Sequence, residues 1–264
     1  MESAVFDVVI IGGGIIGLST ALRLKREQYP HWRIAVVEKD DGLANHQTGH
    51  NSGVIHSGIY YRPDSHKARF CVDGAKALLK FCDENEIEYE QCGKVIVAIH
   101  ESELARLDNL YERGVANGVQ GLEMIGPERL REIEPHVSGV KAMWVPSTGI
   151  VDYKKVAAAY ASRFQEAGGD IFTGAEVHRI TKNSDTLAIE TNLGVLQAKH
   201  LINCAGLHAD RVAEMMGEDI DVRIIPFRGE YYTLRPESHH LVKGLIYPVP
   251  DPRFPFLGVH YLSL

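Results

Sequence analysis

The sequence predicts an α/β fold in which a nucleotide-type βαβ domain is interleaved with a second, α+β domain. Three observations lead there. Residues 6–11 are apolar almost throughout, the pattern of a strand covered on both faces, and run straight into Gly12, Gly13, Gly14 and Gly17. Leu18, Ala21, Leu22 and Leu24 then hold an apolar stripe at helical spacing up to Pro30. A second apolar strand, residues 34–38, ends on the acid Glu38.

The remaining elements follow in order. Residues 40–64 show little hydrophobic periodicity and are dense in Gly, His, Ser, Thr and Asn; a loop that long inside a compact protein usually has a function. Helical spacing returns over 65–85, with Phe70, Ala75, Leu78, Leu79 and Phe81 as expected buried positions, followed by a strand over 94–99. Helices are expected over 101–117, 126–134 and 153–167, the last stopped by Gly168 and Gly169. Short strands are expected around Ile171 and over 176–181, 187–191 and 195–197. A buried strand over 200–203 enters Cys204-Ala205-Gly206, ahead of a helix over about 208–216. Residues 223–264 read as extended strands joined by Pro-rich turns. No internal repeat or low-complexity segment interrupts the chain.

Composition narrows the function classes. With 264 residues, 45% hydrophobic and 24% charged, the chain can bury a substantial core, which argues against disorder. A net charge of -7 with scattered Lys and Arg argues against a nucleic-acid surface, since phosphate binding needs clustered cations. No apolar run approaches the roughly 20 residues of a membrane-spanning helix, which leaves peripheral membrane contact open. Met1 to Asp7 hold two acids and no base, so neither a secretory signal nor an Arg-rich transit peptide is expected there. Cys71, Cys82, Cys92 and Cys204 lack metal-type spacing and are expected to be free packing residues in a reducing compartment. No metal site is expected.

Gly12, Gly14 and Gly17 form G-x-G-x-x-G after a strand and at the start of a helix, and Glu38 follows Gly17 by 21 residues. That is the context of a Rossmann-like dinucleotide site. Gly12 permits the tight turn, Gly14 lets the backbone approach a pyrophosphate, and Gly17 lets the helix pack on the strand. Ile15 and Ile16 open the helix whose N–H groups would meet the phosphates. Glu38, followed by Lys39, would accept hydrogen bonds from an adenosine ribose.

After Glu38 the chain enters His46-Gln47-Thr48-Gly49-His50-Asn51-Ser52-Gly53-Val54-Ile55-His56-Ser57-Gly58-Ile59-Tyr60-Tyr61. This loop resembles the one that borders the flavin in the D-amino-acid-oxidase-like superfamily. Residue by residue it resembles the L-2-hydroxyglutarate dehydrogenase family within it. The resemblance extends to Cys92-Gly93-Lys94, Thr148-Gly149-Ile150-Val151-Asp152-Tyr153, Asn203-Cys204-Ala205-Gly206-Leu207, Pro226-Phe227-Arg228-Gly229-Glu230, Ile246-Tyr247-Pro248-Val249-Pro250-Asp251 and Phe254-Pro255-Phe256-Leu257-Gly258-Val259-His260. It therefore covers nearly the whole chain, in the family's order.

The resemblance implies FAD as cofactor, with Thr48, Gly49, Asn51, Ser52 and Gly53 along the phosphates and flavin. Val177 would lie at adenine, and Ala205 and Gly206 would form a second flavin contact, although Gly206 could equally be a turn glycine. It implies oxidation of L-2-hydroxyglutarate, a 2-hydroxy dicarboxylate, to 2-oxoglutarate, with hydride passing to flavin N5. His56 is the leading base and His260 its rival. Arg228, Tyr60, Tyr61 and Arg62 are candidates for carboxylate recognition, with an inter-strand salt bridge as the alternative for Arg228.

The family also suggests a quinone or respiratory carrier as electron acceptor. Its location is mitochondrial in eukaryotes, and cytoplasmic or at the inner membrane in bacteria. Residues 1–88 and 150–220 are assigned to the FAD-binding domain, and 89–149 and 221–264 to the substrate domain. The family pattern continues past Gly258-Val259-His260 by roughly a hundred residues, so the second domain is expected to be incomplete and turnover by this chain poor. A catalytically silent FAD- or partner-binding fragment, and an amino-acid or amine oxidase on the same scaffold, are the competing functions.

Overall fold

The computed structural model describes residues 5–253 and 259–262; Phe254, Pro255, Phe256, Leu257 and Gly258 of the last family signature lie outside the described residues. In chain order the elements are β1 (Phe6–Ile11), α1 (Ile15–Arg23), β2 (Ile34–Val37), β3 (Val54–Ile55), α2 (His66–Glu84), β4 (Tyr89–Glu90) and β5 (Lys94–Ala98). There follow α3 (Leu104–Ala116), β6 (Glu123–Ile125), α4 (Pro127–Ile133), β7 (Lys141–Val145), β8 (Gly149–Val151) and α5 (Tyr153–Glu166). The described chain closes with β9 (Asp170–Phe172), β10 (Val177–Lys182), β11 (Leu187–Thr191), β12 (Gly194–Asn203), α6 (Ala209–Met215), β13 (Leu245–Pro248) and β14 (Tyr261–Leu262).

The chain divides into two compact units, residues 1–51 with 153–230 and residues 52–152 with 231–264. These bounds differ from the domain boundaries read from sequence. The first break falls after Asn51, inside the Gly-rich loop, so α2 belongs to the second unit. The last falls after Glu230 rather than at 220. Periodicity marks elements, whereas a unit boundary depends on which core an element packs into, and α2 carries too few buried side chains to declare its partner.

Unit 1 holds a six-stranded sheet in the order β10-β11-β12-β1-β2-β9. β1 runs parallel to β12 and to β2, and β2 parallel to β9. Parallel central strands need cover on both faces, which explains the unbroken apolar runs of β1 and β2. Helix α1 buries Leu18, Ala21 and Leu22 and packs on α5, which buries Val156, Ala157, Ala161 and Phe164. Gly168, at φ +83°, turns the chain after α5 so that the Gly169 N–H reaches the Phe164 carbonyl. The apolar stripe after α1 continues as a π-helical turn, Leu24–Gln28, and the two short strands expected over 195–203 are one strand, β12.

Unit 2 is built on a five-stranded sheet, β14-β13-β5-β7-β6, and a small sheet, β3-β8-β4. Its core gathers Val54, Ile59, Ile96, Leu107, Met143, Leu245 and Tyr247. Within α2 only Ala68 and Cys82 are buried, and Ala75, Leu78, Leu79 and Phe81, expected to be buried, are half-buried. Phe70 is 64% exposed, stacked on His66, so its expected burial was wrong. Residues 223–235 form no regular element, and a 3-10 turn, Pro236–Leu241, replaces part of the extended structure expected over 223–264. All four cysteines are free.

Candidate active site

The turn between β1 and α1 shapes the nucleotide end of unit 1. Gly12 sits at φ +115°, and a Cβ there would overlap the Cys204 carbonyl; a Cβ on Gly17 would overlap the Gly12 carbonyl. Both positions therefore demand glycine, one for its dihedral and both for closeness. A Cβ on Gly14 would come within 3.2 Å of Thr48 Oγ1. Helix α1 begins at Ile15 with no side-chain cap from Gly14, and the Ile15 N–H donates to Thr48 Oγ1 at 3.0 Å. Ile16 is 66% exposed at this helix start. An N-terminus that Gly14 leaves without a cap, and where only Thr48 Oγ1 takes an N–H, suits a pyrophosphate.

Glu38 is buried at the end of β2. Its Oε2 accepts the Gly13 N–H at 2.7 Å and its Oε1 the Asp40 N–H at 3.1 Å. The carboxylate thus ties the glycine turn to the strand end, a structural role that motif spacing does not reveal, and each oxygen retains acceptor capacity for a ribose hydroxyl. Lys39 is exposed beside it. Gly174 and Ala175 donate their N–H groups to the Asp40 and Glu38 carbonyls at 2.7 and 2.8 Å, which brings the approach to Val177 alongside.

Further along, Asn51 Nδ2 donates to the Gln47 and Thr48 carbonyls, and a Cβ on Gly49 would overlap Ala44 and Lys154. The Val151 N–H donates to the Gly53 carbonyl at 2.8 Å; Ser52 and Gly53 already belong to unit 2. At the end of β12 the Cys204 N–H donates to the Ile11 carbonyl, and the Ala205 N–H to Asn203 Oδ1. Gly206 adopts φ +55°, and a Cβ there would meet no protein atom within 4 Å. Within the protein alone, its dihedral rather than crowding calls for glycine.

Unit 2 contains a cavity of about 750 Å³ lined by His56, Ser57, Tyr60, Tyr61, Lys94, Arg106 and Arg113, with Asp251 at one side. The loop that supplies His56 to Tyr61 is held on α3, where Asn117 Nδ2 donates to the Gly58 and Tyr61 carbonyls at 2.9 and 3.0 Å. Five buried polar atoms of the lining have no hydrogen-bond partner among the described residues: His56 Nδ1, Ser57 Oγ, Tyr60 Oη, Lys94 Nζ and Arg106 Nε. Buried polar groups in native proteins are nearly always paired, so five orphans around one cavity mark a site that a polar ligand would complete.

Burial, reinforced by Lys94 and then His260, lowers the His56 pKa to about 4. Burial lowers that of Lys94 to about 7. It raises Tyr60 far above the ordinary phenol value, and raises Tyr247 to about 12. His260 stacks on Tyr247 with ring centroids 4.6 Å apart.

Of the residues expected at the substrate, His56, Tyr60 and Tyr61 line the cavity. Arg62 is exposed and outside the lining, while Arg228 lies in unit 1, exposed and 3.6 Å from Glu230. Sequence reasoning missed Lys94, Arg106 and Arg113. Lys94 was visible as part of Cys92-Gly93-Lys94, and as a charge opening an otherwise apolar strand. The two arginines sit in α3 with no signal setting them apart from solvated helix charges.

Residues 7–263 match the family described as FAD dependent oxidoreductase. The chain belongs to that family. It is 50% identical over 260 residues to an L-2-hydroxyglutarate dehydrogenase of Indibacter alkaliphilus, covering 98% of this chain and 65% of the relative. It is also 50% identical to the mitochondrial L-2-hydroxyglutarate dehydrogenase of Homo sapiens, covering 97% and 58%. The chain thus spans about three fifths of the length of these curated relatives. Eukaryotic relatives carry the mitochondrial designation and bacterial ones do not.

Among solved structures, an FAD-bound, dithionite-reduced L-alpha-glycerophosphate oxidase from Mycoplasma pneumoniae superposes with TM-score 0.79 at 26% identity, covering 94% of this chain and 66% of that one. A glycine oxidase from Geobacillus kaustophilus, at 20% identity and TM-score 0.70 over 92% of this chain and 66% of that one, shows the shared fold. As in its family, the cofactor is FAD, and the glycine turn, the helix start beside Thr48 and the strand-end carboxylate of unit 1 fit its pyrophosphate and ribose.

Glu38→Ala is expected to weaken FAD binding by about 1.5 to 3 kcal/mol and, by orphaning the Gly13 N–H, to lower the stability of the FAD-free chain by about 1 to 3 kcal/mol. FAD titration and urea unfolding check the two effects. Overlaid titration curves for the two proteins would remove Glu38 from the cofactor site.

Proposed function

We propose that the activity of this family member is FAD-dependent oxidation of L-2-hydroxyglutarate to 2-oxoglutarate. The observation that carries the proposal is the cavity in unit 2, where Lys94, Arg106 and Arg113 face a single acid, Asp251, among the described lining residues. Asp251 is itself engaged by Arg253 at 2.6 Å and Arg106 at 3.5 Å. Such a lining suits a ligand with two carboxylates and disfavours one that brings an ammonium group. The names of relatives at about 50% identity support the same substrate.

When bound, FAD supplies the two-electron acceptor, taking hydride at N5. The protein's part is to hold the substrate and move one proton. His56 Nδ1 is buried, lines the cavity and has no partner among the described residues, so in the Nε2-protonated tautomer its lone pair is available for the C2 hydroxyl proton. His260, stacked on Tyr247, is the less suited of the two histidines. Arg106 and Arg113 supply donors for a carboxylate, and Tyr60 and Tyr61 wall the cavity.

The electrons then pass to a quinone or another respiratory carrier. The protein works in the mitochondrion of a eukaryote, or in the cytoplasm or at the inner membrane of a bacterium. No helix among the described residues is long and apolar enough to cross a membrane.

A dye-linked assay with a panel of candidate donors tests this reading. L-2-hydroxyglutarate should reduce the dye and release 2-oxoglutarate, while glycine, L-proline and L-glycerol 3-phosphate leave it oxidised. Preferential turnover of an amino acid would replace the proposal with an oxidase or dehydrogenase of amines on the same scaffold.

A further inference from the structure

Lys94 opens β5 with no exposed surface, and its Nζ has no hydrogen-bond partner among the described residues. The ammonium lies 4.7 Å from the Tyr60 ring centroid and 4.9 Å from that of Tyr247. Two ring faces stabilise a cation without satisfying its three donors. No ion pair among the described residues compensates a charge there, although the same side chain lines the cavity together with four other orphaned polar groups. A buried lysine without a partner costs stability or gives up its proton, and such a side chain beside a ligand-sized cavity is characteristic of a binding group.

We propose that Lys94 Nζ is the ionic anchor for a carboxylate of the ligand in the unit 2 cavity, a specificity-determining residue whose charge is completed only when that ligand binds. The inference rests on the proposed function for the identity of the ligand, and on the cavity alone for its anionic character.

A consequence separates this role from a structural one. With Lys94 held at about 7 by burial, most of its amines are neutral at pH 8 in the free protein. A carboxylate at Nζ favours the ammonium, so binding takes up a proton from solvent. The groups facing Lys94 are His56 and Tyr60 from the loop after β3, Cys71 from α2, Tyr247 from β13, and His260, with Arg106 across the cavity. Tyr60, Tyr247 and Cys71 are all raised by burial and stay protonated at pH 8. His56, near 4, stays neutral.

The test is calorimetric titration of the FAD-loaded chain with glutarate, a dicarboxylate that has no hydroxyl to oxidise, in buffers of different ionisation enthalpy at pH 8. Close to one proton should be taken up per glutarate bound, with affinity falling as pH rises from 7 to 9. The uptake should persist in His56→Gln and His260→Asn. Lys94→Met should abolish it and weaken glutarate by about 10²-fold with FAD content unchanged. Because the uptake is measured on the unaltered chain, a variant that fails to fold does not shield the inference.

Binding of glutarate without proton uptake, or with undiminished affinity in Lys94→Met, would overturn it, as would no binding at all. If glutarate binds with uptake but L-2-hydroxyglutarate is not oxidised, the anchor stands and the proposed function fails. If L-2-hydroxyglutarate is oxidised and glutarate binds without uptake, the anchor alone fails.

Discussion

His56→Gln is expected to slow flavin reduction by L-2-hydroxyglutarate by on the order of 10²-fold, with FAD content little changed. The effect comes from the loss of a proton acceptor in a cavity where His56 Nδ1 has no competing partner. Glutamine keeps the polarity and much of the volume, so the measurement isolates basicity. Stopped-flow reduction under anaerobic conditions reads it directly, and an unchanged rate would move the role to His260.

The pH dependence follows from the same environment. Burial holds the folded imidazole near 4, below the usual 6.5, so the base form needed for catalysis is retained through neutral pH and lost as pH falls through about 4. Between those two values the unfolded chain binds more protons than the folded one, so this group makes the fold lose stability as pH drops from 6.5 towards 4. Rates in acid should therefore be taken by pH jump rather than after equilibration.

Gly12→Ala should be as damaging by a different route. At φ +115°, with a Cβ overlapping the Cys204 carbonyl, the substitution strains the backbone and forces β1 away from the end of β12. Left-handed strain and overpacking cost about 1 to 3 kcal/mol each, for a total of about 2 to 6 kcal/mol, and the displaced turn would no longer present its amides to a pyrophosphate. Urea unfolding and the ratio of FAD to protein are the measurements. Gly74→Ala serves as the control: Gly74 lies within α2, exposed, with nothing within 4 Å of an added Cβ, and alanine there should stabilise the chain by up to about 1 kcal/mol. A Gly12→Ala protein that unfolds like the parent and retains FAD would show that the turn is not held as described.

The nucleotide half was legible in the sequence because its chemistry is local. The Gly12 to Gly17 turn, the strands on either side and Glu38 all fall within one βαβ stretch, and each residue type has a backbone reason to be there. Even so, the bond from the Gly13 N–H to Glu38 was invisible, since spacing shows where an acid lies and not which amide it meets. The substrate half was legible only in part. His56, Tyr60 and Tyr61 stood out through the loop that carries them, whereas Lys94, Arg106 and Arg113 reach the cavity from β5 and α3 and converge only after the chain folds. Arg228 attracted attention because a guanidinium can bind a carboxylate in a bidentate way, and the structure places it exposed in unit 1, 3.6 Å from Glu230. The unit boundary at residue 51 escaped detection because it divides a loop with no break in composition.

The most direct measurement is an anaerobic spectral titration of the FAD-loaded chain. L-2-hydroxyglutarate should bleach the oxidised flavin bands with one 2-oxoglutarate formed per FAD, while the D-enantiomer and glycine leave them intact. Flavin that stays oxidised with L-2-hydroxyglutarate yet bleaches with dithionite would contradict the proposed activity.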